Sequence, residues 1–174
     1  YISKTNTACR PIFSDAASAI LISKSTKNKI GPFELGADGS GADALELPTG
    51  TNEIVMNGAK VLTFAMDVVP NNVNKLLKKI KINKKNIHKF IFHQASKYIL
   101  DNINRRLSIE KNKTFENYGK VGNTISASIP IALKDAYTKR KILVNKNIVV
   151  AGYGVGLSWG SALIKWSKLL LSLI

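Results

Sequence analysis

Three short motifs hold the residues whose types and spacing could do chemistry: "HQAS" at 93–96, "GNT" at 122–124 and "GYGVGLSWGSAL" at 152–163. His93 closes the apolar run Phe90, Ile91, Phe92, which reads as a short buried strand, and Ile99, Leu100, Ile103 and Leu107 recur behind it at helical spacing. A histidine at that handover stands at the carboxyl end of a strand, the edge of an open α/β sheet where ligands and catalytic groups collect. Taken alone, it is either a catalyst or a hydrogen-bonded core residue. Asn123 follows a glycine in a turn, where asparagine tolerates left-handed geometry. The glycines of the third motif mark turns and lack the strand-to-helix context and spacing of a dinucleotide fingerprint. The ordered combination is far more specific than its parts.

The elements that must position these residues alternate between strand and helix, which predicts an α/β layer architecture. Residues 12–24, "IFSDAASAILISK", are small and β-branched with apolar residues on both faces and predict a buried strand pair. The stretch 30–50, "IGPFELGADGSGADALELPTG", is dense in glycine and proline and predicts a long surface loop. From Ile54 to Ile82 apolar residues keep helical spacing around Pro70, which predicts two helices or one bent helix. After the strand ending at His93, a helix is expected from about Ser96 to Leu107. A second follows the "GNT" turn, where Ser126, Ala127 and Ser128 permit close approach to another backbone. "NIVVAGY" at 147–153 is a fully apolar strand, and "SALIKW" is the strand that returns after a turn.

A chain of 174 residues with 45% hydrophobic residues is one domain able to bury a core. The opening "YISKTNTACRP" carries no signal core, and Tyr1 reads as a position inside a longer protein. The terminal "WSKLLLSLI" is interrupted by Lys168 well short of a membrane span and reads as the end of a strand with a short tail, so no membrane partner is expected. A single cysteine, Cys9, excludes a disulfide framework within one chain and suits a reducing compartment, with the cytoplasm as the expected location. The net charge of +15 attracts anionic partners. Its distribution says more: between Asp67 and Asp101 there is no acid, yet Lys75, Lys78, Lys79, Lys81, Lys84, Lys85, Lys89 and Lys97 fall there. Solvated lysines, an acidic protein or a nucleotide cofactor fit that interval better than nucleic acid, because it shows no aromatic interleaving and no known nucleic-acid-binding pattern.

Taken in order, the motifs resemble the C-terminal half of beta-ketoacyl-ACP synthase III, a condensing enzyme of thiolase fold. "FSDAASAILI" resembles that family's Phe-Gly-Asp-Gly-Ala-Gly-Ala segment, and "LGADGSGADAL" the loop with the same Asp-Gly-Ser. "IVMNGAKVLTFAMDVVP" is similar to the helix opened by Met-x-Gly-x-x-Val-Phe. "FIFHQAS" resembles His-Gln-Ala-Asn, and "VGNTISASIPIAL" resembles Gly-Asn-Thr-Ser-Ala-Ala-Ser-Ile-Pro-x-Ala-Leu. "GYGVGLSWGSALIKW" resembles Gly-Phe-Gly-Gly-Gly-x-Thr-Trp-Gly-Ser. The resemblance implies a thiolase-like half domain, a mixed five-stranded sheet layered with helices, filling residues 1–174. It also implies an N-terminal half, absent from this sequence, that carries the nucleophilic cysteine. Cys9, in a polar stretch beside Arg10 and Pro11, does not match that cysteine.

The implied reaction is a decarboxylative Claisen condensation of an acyl-CoA primer with malonyl-ACP in fatty acid biosynthesis, with no cofactor and no metal. By the resemblance, His93 and Asn123 are the neutral donors that stabilise the malonyl enolate, a task an anionic side chain would oppose. The glycine turn supplies a backbone N–H to the second oxyanion, with Gly154 as the candidate and Gly152 and Gly156 permitting the turn. Val155 here replaces the middle glycine of that run. Gln94, Ser96 and Lys97 fall where the family docks its acyl carrier protein, with Ser96 in place of Asn and with Lys97 and Tyr98 where a residue and Arg are usual. The full-length protein is expected to be a homodimer. Two other readings keep the fold: a noncatalytic thiolase-fold binding or assembly module, and a synthase III relative in secondary-metabolite or surface-polysaccharide biosynthesis.

Overall fold

The computed structural model describes residues 1–24 and 29–166. In chain order the elements are β1 (Ile30–Ala37), β2 (Leu45–Glu46), β3 (Val55–Met56), α1 (Gly58–Lys79), β4 (Lys89–Phe92), α2 (Lys97–Leu107), α3 (Tyr118–Val121), α4 (Ser128–Thr138), β5 (Asn147–Gly154) and β6 (Ser158–Lys165). The main sheet runs β1-β6-β5-β4, with β4 and β5 parallel and the other pairs antiparallel. β2 and β3 form a separate two-stranded ribbon.

Both faces of the sheet are covered, which is why β4 and β5 read as unbroken apolar runs. Successive side chains point to opposite faces. Phe90 and Phe92 join Val149 and Ala151 in a core with Val69, Val73 and Leu76 of α1 and Leu100 and Ile103 of α2. Ile91 and Ile148 point the other way and meet Ala132, Leu133 and Ala136 of α4 together with Trp166. The result is a mixed sheet between helical layers, the architecture of a thiolase-like half.

Two expectations change. Residues 12–24 form no strand pair: only Phe13 makes a bridge, to Asn123, and residues 15–24 are exposed. A strand needs an edge to pair with, and the small side chains of Ala16, Ala17 and Ala19 have little to bury. The main sheet therefore counts four strands among the described residues, where five were expected. Residues 30–37 are not loop but the edge strand β1, antiparallel to β6, with an irregularity in register between Ile30 and Phe33. An edge position accommodates Pro32, and Gly36 is required by contact, since a Cβ there would lie 2.5 Å from the Trp159 ring. Of the two arrangements expected around Pro70, the chain takes the single helix: α1 runs through it. Proline removes one ladder bond, and the burial of Val69, Val73 and Leu76 on both sides of it holds the helix together. Of the terminal "WSKLLLSLI", residues 167–174 lie outside the described residues.

Candidate active site at the carboxyl edge of the sheet

β4 delivers His93 to the sheet edge by extending its ladder one step, with the His93 N–H donating to the Ala151 carbonyl at 2.9 Å. The chain then turns into α2, whose first turn is capped by the Ser96 hydroxyl accepting from the Ile99 N–H. The imidazole is held from two sides. Its Nδ1 is 2.7 Å from the hydroxyl of Ser128, the first residue of α4, and its ring meets Tyr153 of β5 edge-on, 5.3 Å between centroids. Burial pushes the imidazole pKa down to about 4, so the ring is neutral at neutral pH.

Ser128 also biases which nitrogen carries the proton. Its oxygen accepts from the Gln94 N–H at 3.3 Å, and among the described residues Nδ1 is the one acceptor its hydroxyl proton meets, which favours donation to Nδ1. A ring that accepts at Nδ1 carries its proton on Nε2. In that tautomer the neutral ring presents an Nε2–H donor to the site.

Asn123 is positioned by the other end of the chain. Its N–H donates to the Ile12 carbonyl at 2.9 Å and its carbonyl accepts from the Ser14 N–H at 3.0 Å, so residues 12–14 splint the turn. Gly122 before it has a φ of +67°, and a Cβ there would lie 2.6 Å from Ser14 Oγ, so only glycine fits. The side chain of Asn123 is buried, and its Oδ1 accepts from the Ile125 N–H at 2.9 Å. Because that partner can only donate, the amide orientation is set and Nδ2 is left as the donor. Asn123 stands on the turn that leads into Ser128, the residue bonded to His93.

The glycines divide by role. Gly152 and Gly154 flank Tyr153 and pair with Gly160 and Ser158 in the β5–β6 ladder. A Cβ at Gly154 would meet nothing, so space alone does not require glycine there. Gly156 lies in the exposed turn beyond, with a φ of +140° that favours glycine. Val155 is exposed at the same turn.

Gln94 is not available to a docking partner. It is fully buried, donating to the Phe92 carbonyl at 2.8 Å and to the Phe115 carbonyl at 3.3 Å, and accepting from the Asn117 N–H at 2.9 Å. Its short polar head finds those carbonyls below the surface, and it ties the 115–117 segment to the site. Lys97 is exposed and ion-paired with Asp101 one turn on. Ser96 is half-buried and occupied as a cap. Cys9 is buried, accepts no role at the sheet edge, and burial pushes its thiol above the usual range, the opposite of an activated nucleophile.

Two residues that position His93 were not singled out from the sequence as such. Ser128 was legible only as a small residue, and Tyr153 only as the end of an apolar strand running into a glycine-rich turn. Their partner lies 35 residues away from Ser128, so no local spacing could reveal the contact.

Comparison with known proteins places these features in a family. Residues 77–166, which include His93, Asn123 and the 152–156 turn, match the family described as 3-oxoacyl-[acyl-carrier-protein (ACP)] synthase III C terminal. A beta-ketoacyl-[acyl-carrier-protein] synthase III from Natranaerobius thermophilus is 42% identical over 148 residues, covering 77% of this chain and 45% of that protein. One from Prochlorococcus marinus (strain MIT 9515) is 36% identical over 173 residues, covering 89% of this chain and 51% of that protein. The crystal structure of the synthase III of Pseudomonas aeruginosa superposes with a TM-score of 0.80 at 28% identity, covering 85% of this chain and 48% of that one. The chain spans about half the length of the curated relatives it matches.

Proposed function

The chain belongs to the 3-oxoacyl-[acyl-carrier-protein] synthase III family through its C-terminal domain, and from that premise we propose that it is the half of a condensing enzyme that activates the malonyl donor. The observation that carries this reading is the tethering of two side chains by one polar atom each: His93 is bonded through Nδ1 to Ser128, leaving Nε2 to the site, and Asn123 through Oδ1 to the Ile125 N–H, leaving Nδ2 as a donor.

In the proposed step the malonyl thioester oxygen accepts from both donors. The carbon–carbon bond to the carboxylate breaks, carbon dioxide leaves, and the electron pair moves into an enolate whose oxygen carries the developing charge. A neutral imidazole suits this work better than a charged one would, since it gives a directed hydrogen bond without holding the substrate carboxylate in place. Preorganised donors of this kind contribute about 3 kcal/mol each when the site excludes water. The enolate carbon then attacks an acyl thioester on a cysteine of the N-terminal half, forming the new carbon–carbon bond and releasing the thiolate. A backbone N–H near Gly154, with Gly152 and Gly156 shaping the turn, serves the oxyanion of that second step. Lys97, exposed at the start of α2 four residues after His93, serves an acidic carrier protein.

The test is malonyl-ACP decarboxylation and condensation with acetyl-CoA by the full-length protein and by His93→Ala and Asn123→Ala. Each variant should lose about a hundredfold in turnover, as expected for loss of one oxyanion donor. Full activity in both would overturn the assignment.

A further inference from the structure

The other end of β4 carries a second concentration of polar side chains that the proposed reaction does not use. His88 precedes β4 and His93 follows it, which puts them about 16 Å apart by the rise of an extended strand. Around His88 lies a cavity of 340 Å³ lined by Lys85, Lys89, Lys113 and Lys146, with Asn86 and Asn112 between them.

These lysines are organised in an unusual way. Lys113 Nζ donates to the main-chain carbonyls of Lys85 and Ile87, and Lys89 Nζ donates to the carbonyl of Asn112. Both residues are half-buried, and their ammoniums are held by neutral oxygens, not by carboxylates. None of the 11 acidic residues of the chain forms an ion pair with any lysine of the cavity. An ammonium has three N–H donors, so each fixed lysine keeps at least one to offer outward. His88 closes the back of the cavity without adding a charge: its Nε2 accepts from the Leu143 N–H at 3.2 Å, and burial together with Lys89 and Lys146 holds its pKa below the usual range. Lys89 is likewise depressed, by burial and by its neighbours Lys141 and Lys113. Glu110, which accepts from Asn112 Nδ2 at 3.2 Å, brings one carboxylate to the edge of the cavity without pairing with a lysine, and the remaining excess of crowded positive charge is relieved by a bound anion.

We propose that this cavity is a binding site for a compact phosphate-bearing anion, held by Lys89 and Lys113 at its floor and by Lys85 and Lys146 at its rim. Lysine serves phosphate as a point charge, and several converging lysines suit a group with more than one negative charge. The lining has no Phe, Tyr or Trp on which a base could stack, and its one ring, His88, is half-buried and bonded to the Leu143 N–H, which separates it from a single-stranded nucleic acid groove. Its position away from His93 makes it independent of the condensation step.

The experiment is calorimetric titration of the full-length protein with inorganic pyrophosphate and, separately, with ADP, at about 150 mM salt to suppress diffuse attraction. Saturable binding is expected, weakened about tenfold in the Lys113→Gln/Lys146→Gln double variant by loss of two charge-assisted contacts. Lys75→Gln/Lys78→Gln removes the same charge from the exposed side of α1 and should bind as wild type does. Comparable affinities for the two probes assign recognition to the phosphates alone, and a tighter ADP complex assigns it to a nucleotide. If Lys113→Gln disturbs folding, Lys85→Glu/Lys146→Glu replaces it, since neither ammonium bonds to another described residue. Absence of saturable binding of both probes, or equal weakening in the cavity and α1 variants, would overturn the proposal.

Discussion

Replacing Ser128 by Ala removes a hydroxyl on which two groups of the active site depend. Ser128 is 1% exposed, so no water replaces it readily. Its loss strands the Gln94 N–H, which donates to it at 3.3 Å, and deprives His93 Nδ1 of a donor at 2.7 Å. A buried polar group left without a partner costs roughly 1–3 kcal/mol, and the lost hydroxyl-to-imidazole bond is worth about 1 kcal/mol of preference for the Nε2–H tautomer. Full-length protein labelled with ¹⁵N at the histidine rings, with His93→Gln for assignment, reports both nitrogens directly. In the wild type at pH 7, Nδ1 should appear unprotonated and Nε2 protonated. In Ser128→Ala the two forms should mix, the denaturation midpoint should fall, and decarboxylation should drop by less than in His93→Ala. A wild-type ring protonated on Nδ1, or a ring spectrum and stability unchanged by Ser128→Ala, would refute the reasoning that α4 sets the tautomer.

Two further outcomes follow from the same geometry. The pKa of His93 is pushed down to about 4 in the folded protein, against an ordinary value of 6.5, so below pH 6.5 the unfolded chain takes up a proton that the folded one refuses. Stability should therefore decline as pH falls from 6.5 toward 4 and be level above that range, by at most about 3 kcal/mol, reduced by the partly exposed edge of the ring. Denaturation of wild type and His93→Gln at several pH values checks this, since a difference between them that stays constant would contradict it. Tyr153→Phe removes a buried hydroxyl that has no partner among the described residues while keeping the ring packed on His93 and Phe64. It should leave stability unchanged or raise it by up to about 1 kcal/mol. A clear loss in thermal unfolding would mean that the hydroxyl has a partner after all.

Much of the sheet edge was legible before the structure. The apolar run ending at His93 and the helical spacing after it predict the β4-to-α2 handover, because burial on both faces leaves a strong pattern. The β5–β6 pair was legible for the same reason. β1 was not, since Gly31, Pro32 and Gly36 mimic a loop, and an edge strand is specified by its neighbour β6 more than by its own composition. The strand pair expected at 12–24 fails from the opposite side: β-prone residues are present, but pairing needs an edge that local sequence cannot supply. The site followed the same rule. His93 and Asn123 stand out by type and place, whereas the contacts that orient them, from Ser128, Tyr153 and residues 12–14, come from distant parts of the chain.

The splint on Asn123 bears on the order in which the protein assembles. Ser14 and the Val121–Asn123 turn are hydrogen-bonded partners 107 positions apart in sequence, counted from Ser14 to Val121. Closing a loop of that length is entropically costly and comes after local helices and hairpins have formed. β5, β6 and α4 can gather near one another with little reference to the first residues of the chain. Asn123 cannot. The donor pair is therefore completed by a long-range closure, exceeded in span by the pairing of β1 with β6, and its integrity reports on the distant parts of the domain having come together.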